Sequence, residues 1–317
     1  IERAQRFLPQ IRNLATATPL WSGILLIALG VFKKAVIADN IAAMVDPVFA
    51  DPTGAYAPAV WLATYGFAVQ IYFDFSGYSD IAVGLARLFG IDLMQNFRAP
   101  YAALGPSDFW RRWHISLSTW LRDYLYISLG GNRLGQWLTI RNLILTMLLG
   151  GLWHGAAWNF VLWGAWHGLL LVVFRHASLR RLGTQLDQSV FTRLPSQVLR
   201  RVFFFHLVCI GWALFRIEAP SESLALLQHM LAPESFDFSH WYAQVHASGE
   251  GRWLGMCGAI IIFTLLSQWV YPKGSNDLVD WVWKSPGWAR TTVCILLVYA
   301  AVLGAPEAQP PFIYFQF

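Results

Sequence analysis

The sequence predicts an all-α, multi-pass membrane protein, a bundle of tilted and broken transmembrane helices around a central cavity with amphipathic helices at the interface. Three observations carry this reading. Hydrophobic residues make up 56% of the 317 and charged residues only 13%, against roughly 25% charged in an ordinary soluble domain. Mean hydropathy is +0.44, and apolar stretches separated by charged loops recur at 20–38, 58–73, 142–174, 202–217, 253–271 and 291–305. From Asn142 to Phe174, 33 residues pass without Asp, Glu, Lys or Arg, yet that run holds Gly150-Gly151, His154 and His167.

The chain opens on a charged amphipathic stretch, Ile1 to Arg12, with neither an initiating methionine nor a signal peptide, so it reads as the C-terminal part of something longer whose upstream helices are missing. Residues 1–317 read as a single membrane domain, since no fixed-period repeat and no Ser- or Gly-rich linker divides them. Several apolar stretches fall short of the ~20 residues of a full span, which points to tilted or half-spanning helices. Segments 39–58 and 218–251, with Asp46-Pro47, Asp51-Pro52-Thr53-Gly54 and Pro233-Glu234, read as extramembrane loops carrying short helices. The 142–174 run is too long for one straight ~30 Å crossing and too short for two full spans with a turn. It must break or re-enter, and Gly150-Gly151 is the expected place because glycine weakens a helix by ~1 kcal/mol relative to Ala. Broken backbone at that depth needs protein or a water-filled cavity around it, and imidazoles there face inward. His154 is therefore expected in a cavity wall. His167, in a more continuous run, reads as a packing residue. The tail, Pro306 to Pro311 and then Phe312 to Phe317, returns to interface-loving aromatics.

A formal charge of +5 would suit nucleic acid in a soluble protein, but its distribution matters more here, and the expected surroundings are membrane lipid with no nucleic-acid partner. Residues 175–201 hold Arg175, Arg180, Arg181, Arg193, Arg200 and Arg201 against Asp187, whereas 218–251 hold five carboxylates and no Lys or Arg. By the positive-inside rule the first faces the cytoplasm and the second the outside, so 202–217 crosses between them. Cys209, Cys257 and Cys294 lie unpaired in apolar segments, which implies neither a disulfide frame nor a metal site.

The most patterned stretch runs from Ser107 to Leu125. At ~100° per residue, Phe109, Trp110, Trp113, Leu117, Trp120, Leu121 and Tyr124 share one side, and Arg111, Arg112, Ser118, Thr119, Arg122 and Asp123 the other. This predicts one amphipathic helix at the membrane surface or in a crevice where arginines meet phosphates. Arg111 and Arg112 thus read either as a headgroup-facing pair or as ligands of a phosphate-bearing donor. His114 falls on the apolar side and should point inward, either as a core histidine bonded to a carbonyl or as a second polar group in the cavity of His154. Asp74 and Asp80, at the end of an apolar segment, need partners: arginines such as Arg98 or Arg111, or a histidine to orient. No zinc pattern, phosphate-binding Gly-rich loop with Lys, or Gly-x-Ser-x-Gly elbow is present.

Four ordered blocks carry a likeness: Tyr72-Phe73-Asp74-Phe75-Ser76-Gly77-Tyr78-Ser79-Asp80; Phe109-Trp110-Arg111-Arg112-Trp113-His114-Ile115-Ser116-Leu117-Ser118; Leu121-Arg122-Asp123-Tyr124-Leu125-Tyr126 with Gly130-Gly131-Asn132-Arg133; and Gly150-Gly151-Leu152-Trp153-His154-Gly155. Together they resemble the membrane-bound O-acyltransferase (MBOAT) family, most closely its bacterial alginate O-acetyltransferase branch. Ser128, where many relatives have Pro, and Ala99, in an otherwise familiar Asn-Phe-Arg-Pro-Tyr-like run, depart from the pattern away from the proposed chemistry. The resemblance implies that His154 matches the family's essential histidine and His114 its second one. It implies transfer of an acetyl group from a cytoplasmic donor, acetyl-coenzyme A or an acetyl group derived from it, to an acceptor hydroxyl outside, with no permanently bound cofactor. The expected setting is a bacterial inner membrane, with an extracytoplasmic SGNH-type acetyltransferase partner and a polysaccharide, an alginate-like exopolysaccharide or another glycan such as cellulose or peptidoglycan, as the destination. A transporter or channel, or a non-catalytic subunit of a secretion complex, stays open as an alternative from the residues alone.

Overall fold

The computed structural model describes residues 1–12, 20–176, 194–217, 219–247 and 251–307, and among these it is helical with no strand. Helix α1 (Ala4–Arg12) is followed by α2 (Leu20–Phe32), which runs through a π-helical turn (Lys33–Ala38) into α3 (Asp39–Ala50). The 32-residue α4 (Ala57–Leu88) lies antiparallel beside α2. At ~1.5 Å per residue α4 is ~48 Å long, longer than a bilayer core is thick.

Glycines explain how closely α2 and α4 approach. A Cβ on Gly23 would stand 2.8 Å from Gly84 O and one on Gly84 2.7 Å from Gly23 O, while Gly30 and Gly77 meet in the same reciprocal way at 2.5 and 2.7 Å. The two contacts are one heptad apart, and a methyl group at any of the four positions would push backbone off backbone. Such small-residue seams are how helices associate in lipid, where apolar surface alone gives no drive.

The same seam carries the buried charges. Lys33 Nζ lies 2.6 Å from Asp80, and Lys34 Nζ lies 2.6 Å from Asp39 and 2.8 Å from Asp74. The expected arginine partners of Asp74 and Asp80 are therefore replaced by lysines. The π-helical turn presents Lys33 and Lys34 to α4 on successive residues.

Beyond α4 come α5 (Pro106–Trp110), α6 (Ile115–Trp120) and a second π-helical turn (Leu121–Tyr126), then α7 (Gln136–Leu152), α8 (Trp158–His176) and α9 (Leu194–Arg216). The acidic segment folds as α10 (Pro220–Leu231) and α11 (Phe238–Ala247), short helices as expected. The remaining described helices are α12 (Gly251–Val270), α13 (Ser275–Trp283) and α14 (Gly287–Gly304).

Among the described residues three segments, Leu20–Ala50, Gln197–Arg216 and Gly287–Gly304, are long and apolar enough to cross a membrane, and Leu254–Val270 with Ser275–Trp283 is an apolar helix pair bent by 73°, the geometry of a broken span or a re-entrant loop. This is the multi-pass, broken-helix architecture the composition predicts. The core between α4, α5, α8 and α9 is aromatic, with Phe67, Phe109, Trp113, Trp212, Phe204 and Phe215 among its most deeply buried side chains.

Three local expectations change. Residues 39–50, expected in a loop, continue the first span as α3, and only 51–56 turn. The single helix expected over 107–125 is broken at 111–114. Gly150-Gly151 does not break the hairpin: both lie in the last turn of α7, and the chain turns just after them, at 153–157. A Cβ on Gly151 would collide with the backbone carbonyl of Phe160 on α8, so its work is to let the two antiparallel helices touch. The expectations for 180–193 and for the tail from Ala308 lie outside the described residues.

Candidate active site

His114 sits at the break between α5 and α6, with φ 42° and ψ 55°. Among the described residues only Ala99 and His114 are non-glycine with positive φ, a conformation that costs an L-residue of order 1–3 kcal/mol. The surroundings impose it. Arg98 N donates to Arg112 O at 3.0 Å and Ile115 N to Asn96 O at 3.0 Å, while Asn96 Oδ1 accepts from Ser116 N at 3.2 Å. The extended 96–98 segment thus competes for backbone groups that a continuous helix would use, and the chain kinks at His114. The kink turns the imidazole inward, as the wheel predicts: the residue is 8% exposed, its ring meets Phe75 edge-on at 4.7 Å, and Nδ1 lies 3.4 Å from Ser116 Oγ. The sequence alone does not single out Asn96, which is one of several polar residues between Asp92 and Arg98.

His154 occupies the tight turn joining α7 to α8, its N–H donating to Gly151 O at 2.9 Å. The residue is half-buried, and its ring is walled by Trp163 at 5.3 Å, Phe215 at 5.3 Å and Phe160 at 6.0 Å. Asn159 Nδ2 donates to Phe215 O at 2.9 Å and so ties the start of α8 to the end of α9 behind it. His114 and His154, 40 residues apart in sequence, come close enough for their charges to interact. Two cavities, of about 380 and 830 Å³, are lined by other residues, around α3, α4 and α11 and between α2 and α14. The turn that carries His154 is itself open to the outside, with Trp153 and Trp158 both exposed.

His167 is fully buried, stacked on Phe109 at 5.8 Å and packed against Trp110 at 5.2 Å and Trp163 at 5.0 Å. Neither of its ring nitrogens has a hydrogen-bond partner among the described residues. It lies in the aromatic core, as a packing residue does, and Trp163 packs against both it and His154. Arg112 is bound within the fold, Nε to Asp108 at 2.9 Å and Nη1 to Arg98 O at 3.3 Å. Arg111 is different: its side chain is 70% exposed, with Asp108 at 3.5 Å. The two guanidiniums thus stand in different surroundings, Arg112 tied into the fold and Arg111 toward the outside.

Two imidazoles lie within electrostatic reach of each other, each against its own aromatic rings, one in a helix-hairpin turn and one on a strained kink, and the stretch that builds them has known counterparts. The model of the membrane-bound O-acyltransferase family matches residues 8–214. The chain belongs to the membrane-bound O-acyltransferase family. It is 41% identical to the probable alginate O-acetylase AlgI of Azotobacter vinelandii over 319 residues, covering 91% of this chain and 60% of that protein. It is 34% identical to the peptidoglycan O-acetyltransferase of Helicobacter pylori over 312 residues, covering 93% and 56%. Identity to the teichoic acid D-alanyltransferase of Bacillus subtilis is 32% over 170 residues, 49% of this chain and 40% of that protein. The chain spans 60% of the length of the Azotobacter alginate relative. The blocks that hold His114 and His154 fall inside the region matched to the MBOAT family, as does the α2–α4 seam.

Proposed function

We propose that this chain is the membrane core of an O-acetyltransferase, working as one unit in a bacterial inner membrane, that carries an acetyl group from a cytoplasmic donor to a hydroxyl outside. The observation that carries the reading is that His154 and His114, each against aromatic rings, come within electrostatic reach of each other inside the family's matched region. His154 acts as general base. Its imidazole takes the proton of the acceptor hydroxyl as the oxygen attacks the acetyl carbonyl; the new C–O bond forms, the donor's C–S bond breaks, and the proton passes on to the departing thiolate. His114, held on its kink, polarises or orients the reacting groups. Aromatic walls keep water from the thioester and so favour transfer over hydrolysis.

The donor is acetyl-coenzyme A or an acetyl carrier made from it. The acceptor is an exopolysaccharide of the alginate kind, reached directly or through an extracytoplasmic SGNH-type acetyltransferase, because the alginate relatives match at higher identity than the peptidoglycan one. Purified protein in nanodiscs, given acetyl-coenzyme A labelled in the acetyl group, should release free thiol and pass label to an added acceptor. A transporter or a silent scaffold would move or hold the donor without that exchange.

A further inference from the structure

At the end of α8 opposite His154, a pocket of about 410 Å³ is lined by Arg122, Arg133 and Arg175 together with Tyr126, Gly130 and Gly131. Three separate elements bring the guanidiniums there: the second π-helical turn, the loop before α7 and the last turn of α8. The loop is built rather than loose. Asn142, fully buried on α7, donates from Nδ2 to Leu129 O and Gly131 O at 3.0 Å each, and Gly130 and Gly131 take φ of 100° and 58°. A side chain at Gly130 would be strained and would collide with Leu134. Arg122 is held by Asp123 at 2.6 Å, a carboxylate that also meets Arg3 at 2.6 Å. Among the described residues neither Arg133 nor Arg175 has a carboxylate within ion-pair distance, and both are exposed. Two uncompensated guanidiniums and a third shared one leave the pocket with net positive charge.

We infer that this arginine pocket binds a phosphate group, which Arg133 and Arg175 grip from two sides while Arg122 closes the third. Planar guanidiniums match phosphate oxygens with paired N–H donors, and the geometry around Gly130-Gly131 leaves room for the group between them. Arg111 and Arg112, the pair singled out by sequence, do not line it. The pocket's Arg175 side sits at the end of α8 that leads into the basic 175–201 stretch, ~26 Å along α8 from the His154 turn, while its Arg122 side lies two residues from Trp120, whose ring is 6.0 Å from that of Trp153 next to His154. Two sources of phosphate fit that place: the diphosphate of a thioester donor whose reactive end extends on a long arm toward His154, or the headgroup of an anionic phospholipid. The first rests on the proposed acetyl transfer; the second does not.

Binding separates them without turnover. The full chain in phosphatidylcholine nanodiscs is titrated with coenzyme A and with inorganic pyrophosphate, and in a second arm its enrichment of phosphatidylglycerol over phosphatidylcholine is measured from mixed vesicles. Arg133→Gln and Arg175→Gln should each weaken one of these interactions at least about tenfold, the consequence of losing one charge-assisted hydrogen bond. Arg133→Lys, which keeps the charge but not the fork, should fall between, and Arg290→Gln, stacked on Trp283 and outside the pocket, should match the parent. Loss of coenzyme A and pyrophosphate binding identifies the donor as source, and loss of phosphatidylglycerol enrichment alone identifies the lipid; either supports the pocket. Glutamine variants that keep a parental unfolding midpoint and parental binding in both arms would overturn it. Acetyl transfer that fails in a protein with arginine-dependent phosphate binding would sink the proposed function and leave this inference standing.

Discussion

At His114 a bulky imidazole is kept in a backbone region that costs of order 1–3 kcal/mol, and a strained conformation at a candidate reactive group is a testable coincidence. Asn tolerates left-handed backbone better than most residues. His114→Asn should therefore leave the unfolding midpoint in detergent within a few degrees while acetyl transfer falls by about 10²–10⁴, the usual loss on removing an acid–base group. His114→Val, β-branched and unsuited to positive φ, should lose both stability and transfer. If the Asn variant keeps near-parental transfer, His114 is a structural hinge and nothing more. In sequence, His154 and His167 are separable only by their distance from Gly150-Gly151, since both stand in Trp-His-Gly triplets. The fold gives the physical difference: one imidazole is half-buried in a turn, the other is at 0% exposure among aromatic rings. His167→Ala should accordingly lower stability through its cavity, by about 2–4 kcal/mol, and leave most of the transfer rate per folded molecule.

For the elements, the hairpin of α7 and α8 turns near the glycines the sequence points to, but Gly151 is there for a different reason. Glycine reads as weak helix, but Gly151 is needed because a neighbouring backbone is in the way, and no single-chain periodicity shows which backbone will be close. The two glycines should therefore behave differently. Gly151→Ala must displace a carbonyl of Phe160 and should destabilise the hairpin by about 1–3 kcal/mol, with loss of transfer, whereas Gly150→Ala meets only the flexible end of Leu121 at 3.0 Å and should be tolerated. Equal effects of the two, read by thermal unfolding, would remove the packing explanation. The amphipathic wheel over 107–125 finds the inward face of His114 correctly but not the kink, because the kink comes from Asn96 and Arg98, which compete for its backbone from another segment. At the start of α11, Asp237 accepts from His240 N at 3.0 Å and Ser239 Oγ at 2.8 Å, and these bonds together with the His240 ring hold its carboxyl down to about 2. A depressed carboxylate stabilises above its unfolded value and loses that contribution as pH falls through the folded one. The protection of amides in the first turn of α11, taken relative to their intrinsic exchange rate at each pH, should thus fall between about pH 4 and about pH 2 and be flat above; no change across that window would show the cap to be idle.

Across the molecule, composition alone is enough for the membrane class, since 13% charged residues cannot cover a soluble surface. Which charges pair is hidden in the sequence, because Lys33 and Lys34 reach Asp80, Asp39 and Asp74 through a seam made by four glycines on two helices, a three-dimensional fact. The expected topology follows from the basic and acidic stretches at the two ends of α9. A single cysteine at Asn132, near the start of α7 and the end of α8, should be shielded from an impermeant thiol reagent on intact cells, while one at Ser239 on α11 should react; the reverse order would invert the protein in the membrane. The central claim, that His154 is the base for acetyl transfer across this bundle, is tested most directly by polymer acetylation in cells that carry His154→Ala at matched membrane level with a parental unfolding midpoint. Acetylation should fall by about 10²–10⁴ in that variant while His167→Ala keeps most of it, and near-parental acetylation by the His154 variant would rule His154 out as the base.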